Sequence, residues 1–110
     1  MYKFVVIYNR VDDEAALETF FAGTHLALVE QLPGLRRLEV SRVASQPLGR
    51  SRFHLMVEAY FDDEVSMQQG LTSEPGIALM NALRPWADNR LITWFYANAF
   101  EEAKNPGIQT

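Results

Sequence analysis

Apolar and polar residues alternate most cleanly in one stretch of this chain. Residues 52–61 (RFHLMVEAYF) place Phe53, Leu55, Val57, Ala59 and Phe61 on one side and His54, Met56, Glu58 and Tyr60 on the other, the two-residue period of a half-buried strand. Residues 2–8 (YKFVVIY) are β-branched and aromatic, with both alternating sets mostly apolar; this predicts a strand covered on both faces. Residues 35–43 (LRRLEVSRV) read as a strand with Leu38 and Val40 beside Arg36 and Arg42 on one face, and residues 91–97 (LITWFYA) as another, with Ile92, Trp94 and Tyr96 together. Behind the acidic Asp12-Asp13-Glu14, Leu17, Phe20, Phe21, Leu28 and Leu32 recur at helical spacing. They predict a helix over 12–31, which Pro33-Gly34 ends. A weaker helical stretch runs from Asp62-Asp63 to Leu71. Ser73 then caps another helix with Ile77, Met80, Leu83 and Trp86 on one side, and Pro85 is expected to end it near Arg84.

The element order is β-α-β-β-α-β. It predicts an α+β, ferredoxin-like domain over 1–100: a four-stranded antiparallel sheet with helices on one face, followed by a C-terminal arm over 101–110. Helices cover only one face of such a sheet. If Met56, Tyr60, Ile92, Trp94 and Tyr96 occupy the other, that face is an apolar patch of the kind that marks an interface or a ligand surface. Pairing of two sheets into a homodimer is the expected cover.

Composition narrows the chemistry. A chain of 110 residues is one domain by size. It contains no cysteine, which excludes disulfides, zinc–thiolate sites, iron–sulfur clusters and a thiol nucleophile. The net charge of −4 argues against a general nucleic-acid footprint. No apolar run approaches the ~20 residues that span a bilayer, and the start of the chain lacks a signal-peptide layout. The expectation is a cytoplasmic protein without membrane or nucleic-acid partners. His25 and His54 lie on different elements with no local ligand pair, so no metal is expected. No phosphate-binding or dinucleotide-binding glycine motif occurs either, and no cofactor is expected.

His25 falls four and eight positions after Phe21 and Leu17, near the buried stripe of the first helix, where an imidazole can act as acid or base or satisfy a backbone carbonyl. Glu58 and Tyr60 are close enough on one strand to share a ligand. A carboxylate on an apolar face is either raised in pKa and a candidate base, or paired with Arg36 or Arg42. Trp94, Tyr96 and Tyr8, with His54 and Met56, are candidate walls of a pocket for flat hydrophobic molecules, or ordinary interface core.

Several segments resemble a known family. The opening MYKFVVIYNR with Asp12-Asp13-Glu14, the run Thr24-His25-Leu26-Ala27-Leu28-Val29, the turn Leu32-Pro33-Gly34-Leu35-Arg36-Arg37, and Ser73-Glu74-Pro75-Gly76 with Trp86-Ala87-Asp88 are similar to the EthD-like family, named for ethyl tert-butyl ether degradation, in the dimeric α+β barrel superfamily. Ala27 stands where the family usually has proline. The resemblance covers most of the chain. It implies a homodimer whose sheets close a barrel, with a cavity in each protomer lined by side chains of the non-helix face. The wider superfamily includes cofactor-independent monooxygenases, polyketide cyclases, lactone isomerases and haem-degrading enzymes; the last would need a histidine in the second helical region, and none is present there. The resulting expectation is a cofactor-free oxygenase, cyclase or isomerase acting on a hydrophobic aromatic or polyketide-like molecule. In it His25 is acid or base, Glu58 or Tyr60 assist, and Tyr8, His54, Met56, Trp94 and Tyr96 bind substrate. The alternatives are a carrier of an apolar metabolite and a structural or regulatory dimer.

Overall fold

The computed structural model of the chain describes residues 1–100; the expected C-terminal arm lies outside the described residues. Four strands, β1 (Tyr2–Asn9), β2 (Arg37–Arg42), β3 (Phe53–Phe61) and β4 (Ile92–Asn98), form one antiparallel sheet in the order β2-β3-β1-β4. The first crossover is α1 (Glu14–Phe20), a π-helical turn (Phe21–His25) and α2 (Leu26–Val29). The second is α3 (Glu64–Leu71) and α4 (Glu74–Asp88). This is the ferredoxin-like arrangement that the element order predicts.

Local chemistry sets the helix starts. Asp13, Asp63 and Ser73 each accept a backbone N–H with their side chain, from Ala16, Ser66 and Gly76 respectively, which satisfies donors that the first helical turn leaves open. The first helix is not uniform. In the π turn the Leu26 N–H reaches back five residues to the Phe21 carbonyl, and Leu17, Phe21, His25 and Val29 are all buried. Val29, rather than Leu28, thus continues the buried stripe. At Gly34 the backbone takes φ +81, the left-handed geometry that lets the chain turn sharply out of the helical layer.

Helix α4 continues past the expected stop near Arg84. Pro85 sits inside it on the exposed side, and the helix ends at Asp88, with Asn89 capping the Pro85 carbonyl through both its backbone and side-chain nitrogens. The missing N–H of Pro85 weakens one turn, while Trp86, packed at 4.8 Å from Phe20 and 5.6 Å from Tyr8 between ring centres, holds the following turn on the core. Leu79 is buried and Ile77 half exposed, so the inward stripe runs through Gly76, Leu79 and Leu83.

The sheet register decides which residues share a face. Phe4 lies opposite Ala59 and Tyr96, Val6 opposite Val57 and Trp94, and Tyr8 opposite Leu55 and Ile92. These residues form the helix-covered face, and the core lies between them and the helices. Lys3, Val5 and Ile7 with Met56, Glu58, Tyr60 and Phe95 form the open face. The expectation that Ile92, Trp94 and Tyr96 join Met56 and Tyr60 is therefore corrected: they are on opposite sides of the sheet. The reason is that β1 is mostly apolar on both faces and its one charged residue, Lys3, lies near its start, so the pattern of the strand does not by itself fix the parity of its neighbour β4. Among the described residues, no helix is long and apolar enough to cross a membrane.

Candidate functional site

The predicted site residues other than His54 fall into three places. The first is a buried pair between sheet and helices. The Tyr8 hydroxyl, at the end of β1, lies 2.6 Å from His25 Nδ1 on the π turn. Tyr8 is wholly buried and His25 retains 1% exposure. Phe21 meets the Tyr8 ring edge-on and Trp86 does the same from α4, at centre distances of 6.4 and 5.6 Å. In this apolar surrounding the charged forms lose their hydration: the imidazole pKa falls to about 4 and the phenol is pushed well above its usual value. Both groups are neutral at neutral pH. π turns inside helices are frequent at functional sites.

The second place is a cleft of about 270 Å³ between α4 and the β1–β4 edge, lined by Phe4, Met80, Trp94, Phe95 and Tyr96. Phe4 lies 6.4 Å from Trp94 and 5.8 Å from Tyr96 between ring centres. Trp94 and Tyr96 thus do line an aromatic cavity, but on the helix side rather than the open face. Along β1, Tyr8 stands four residues, roughly 13 Å, from Phe4, and neither it nor His25 lines the cleft.

The third place is the open face. Glu58 pairs with Lys3 at 2.7 Å, and not with Arg36 or Arg42, which bond Asp62 and Glu18. The Tyr60 hydroxyl donates to Glu39 at 2.7 Å, and the Arg37 guanidinium lies 4.2 Å over its ring. Lys3 is held above its usual pKa mainly by the bond to Glu58, and Glu39 below its usual range mainly by the Tyr60 hydroxyl. Met56 sits on the same face, opposite Ile7. His25 and the Glu58–Tyr60 pair are on opposite sides of the sheet, so one protomer does not assemble them into a single site.

His54 belongs to none of the three. Tyr8 pairs with Leu55 but Asn9 with Phe53, which leaves His54 as the extra residue of a β-bulge. The bulge releases it from the alternation that sequence reading assigned, and its Nε2 bonds Glu18 of α1 at 2.7 Å. Arg42 bonds the same carboxylate, and together they hold Glu18 below its usual pKa. Sequence reading treated Tyr8 as a pocket wall. Its pairing with His25 carries no linear signal, because the two lie 17 positions apart on different elements. Among the described residues, no group of three or more histidines and carboxylates is placed to hold a metal ion.

The sheet order and paired crossovers define a ferredoxin-like α+β protein with an enclosed histidine–tyrosine pair. An ethyl tert-butyl ether degradation (EthD) family protein from Bacillus halodurans is 32% identical, with a TM-score of 0.83 over 91% of this chain and 99% of that one. The chain belongs to the EthD family. An uncharacterised 11.0 kDa protein of the thcB–thcC intergenic region of Rhodococcus erythropolis is 25% identical over 76 residues, 69% of this chain and 74% of the relative. The fold is shared with SnoaB, a cofactor-independent oxygenase from Streptomyces nogalater, at 20% identity and a TM-score of 0.62 over 96% of both chains. No family model matches the chain.

Proposed function

We propose that this EthD-family protein is a small homodimeric enzyme that acts without a cofactor on a hydrophobic, aromatic or polyketide-like molecule, with His25 as its chemical group. The observation that carries the reading is the buried Tyr8–His25 hydrogen bond of 2.6 Å. A neutral imidazole fixed in an apolar, ring-walled site is suited to handle a proton or polarise an oxygen, because few waters compete for it. Trp94 and Tyr96 supply flat apolar walls on the same side of the sheet. SnoaB is an instance of this fold acting as a cofactor-independent oxygenase, which supports the reading by analogy of fold. The open face supplies the dimer surface: Ile7, Met56 and Phe95 are flanked by the Lys3–Glu58 and Arg37–Glu39 pairs. Glu58 and Tyr60 serve that surface rather than His25.

A carrier function is the second reading. What favours it is the cleft itself, whose lining contains no imidazole or carboxylate. One experiment separates the two. Native mass spectrometry of protein purified without added ligand gives the subunit count and any co-purifying molecule. That molecule is then incubated with the wild type and with His25→Gln. Product from the wild type alone supports the enzyme; recovery of the molecule unchanged from both supports the carrier. A monomer overturns the homodimer.

A further inference from the structure

The Tyr8 hydroxyl has His25 Nδ1 as its hydrogen-bond partner and Tyr8 is wholly buried. Its hydrogen therefore goes to His25, since a buried O–H without an acceptor costs on the order of 1–3 kcal/mol. Nδ1 is then the acceptor and carries no hydrogen, and a neutral imidazole in that state holds its single hydrogen on Nε2. Burial keeps the ring neutral at neutral pH. His25 Nε2 makes no hydrogen bond to another described residue. Yet among the described residues no fully enclosed side-chain nitrogen or oxygen is without a partner. The 1% of His25 that remains open thus includes Nε2.

We propose that Tyr8 is a positioning residue that locks His25 in the Nε2–H tautomer, and that this N–H is the donor for a carbonyl, quinone or enolate oxygen on a flat apolar ligand. The inference rests on the reading of His25 as the chemical group and deepens it. A neutral Nε2–H donates, so its first act on a substrate is to polarise an oxygen, not to take a proton from carbon. The rings of Phe21 and Trp86 around the pair exclude competing water, which strengthens one well-aimed hydrogen bond. They also favour ligands whose remaining surface is apolar.

Long-range proton–nitrogen NMR of the full chain at pH 7 tests the tautomer. The chain has two histidines, and His25→Gln identifies the His25 signals. The wild type is expected to show one neutral Nε2–H pattern, and Tyr8→Phe a mixture of both tautomers. A Nδ1–H or imidazolium pattern in the wild type overturns the proposal. A Tyr8→Phe pattern identical to wild type overturns the role of Tyr8. If Tyr8→Phe does not fold, the wild-type pattern and a titration decide. The titration compares 2-acetylnaphthalene with 2-isopropylnaphthalene, which match in shape and differ in the oxygen. The ketone is expected to bind about fivefold more tightly, the worth of one net hydrogen bond, and to shift the Nε2 signal. Equal binding, no binding, or no shift at Nε2 overturns the recognition of oxygen. The tautomer is read without turnover, so its failure is distinct from failure of the enzymatic reading.

Discussion

Lys3 reaches diagonally across the β1–β3 pair to Glu58, Nζ to Oε1 at 2.7 Å, although the direct cross-strand partners of the two residues are Tyr60 and Val5. The pair is largely withdrawn from water. Removing one member leaves the other charge unpaired, so the single change costs more than removing both. Lys3→Met is expected to lower unfolding free energy by on the order of 1–3 kcal/mol, and the double variant Lys3→Met/Glu58→Gln to recover part of that loss in urea titration. The bond raises the Lys3 pKa above 10.5. Its contribution is therefore complete below pH 10.5 and is lost as pH rises through the higher folded value.

His25 has the opposite linkage. Its pKa falls from 6.5 to about 4 on burial, so between these values the unfolded chain binds more protons than the folded one. Stability is complete above pH 6.5 and declines by about 3 kcal/mol as pH drops to 4. His25→Gln, which keeps an acceptor for Tyr8, is expected to flatten that decline in urea titrations across this range.

The open face gives a third expectation. Ile7 lies at its centre, opposite Met56 and Thr93. In the proposed homodimer Ile7→Glu places a charge at the interface, and light scattering is expected to fall from twice the 12.6 kDa chain mass to once. An unchanged mass would remove this face from the interface.

Two glycines are expected to respond in opposite directions. A Cβ on Gly76 would meet the Gly70 carbonyl and the Leu71 backbone, which fixes how closely α4 passes α3. Gly76→Ala is expected to cost about 2–3 kcal/mol. A Cβ on Gly23 meets nothing within 4 Å, and Gly23→Ala is expected to add about 0.5–1 kcal/mol. Thermal unfolding of both variants reads the contrast.

Much of the fold is legible in residue pattern. The alternation of Phe53 to Phe61 assigns β3 its covered face, and Asp63 and Ser73 announce the helices that follow them. The placement of His25 on the Leu17–Phe21 stripe also follows from spacing. The candidate site is less legible, because face parity is a relation between strands. Trp94 and Tyr96 outweigh Thr93, Phe95 and Ala97 in apolar bulk as a set, yet β1 is apolar on both faces beyond Lys3 near its start and gives little against which to align them. His54 defeats the two-residue rule for a different reason: one inserted residue in β3 changes the direction of its side chain without altering the composition around it.

The π turn makes the first crossover a device for keeping phase. In an uninterrupted α-helix, each four-residue step overshoots a full rotation by about 40°. Three such steps, from Leu17 through Phe21 and His25 to Val29, would swing the last residue roughly 120° away from the first. All four are buried, because the wider turn at Phe21–His25 absorbs the excess. Residue count in this segment therefore acts as an angular setting. Deleting Gly23 would restore ordinary helix and leave about eleven steps of roughly 100° from Leu17 to Val29, within about 20° of three full turns, so the helix beyond would keep its buried face while losing the local widening that carries the imidazole.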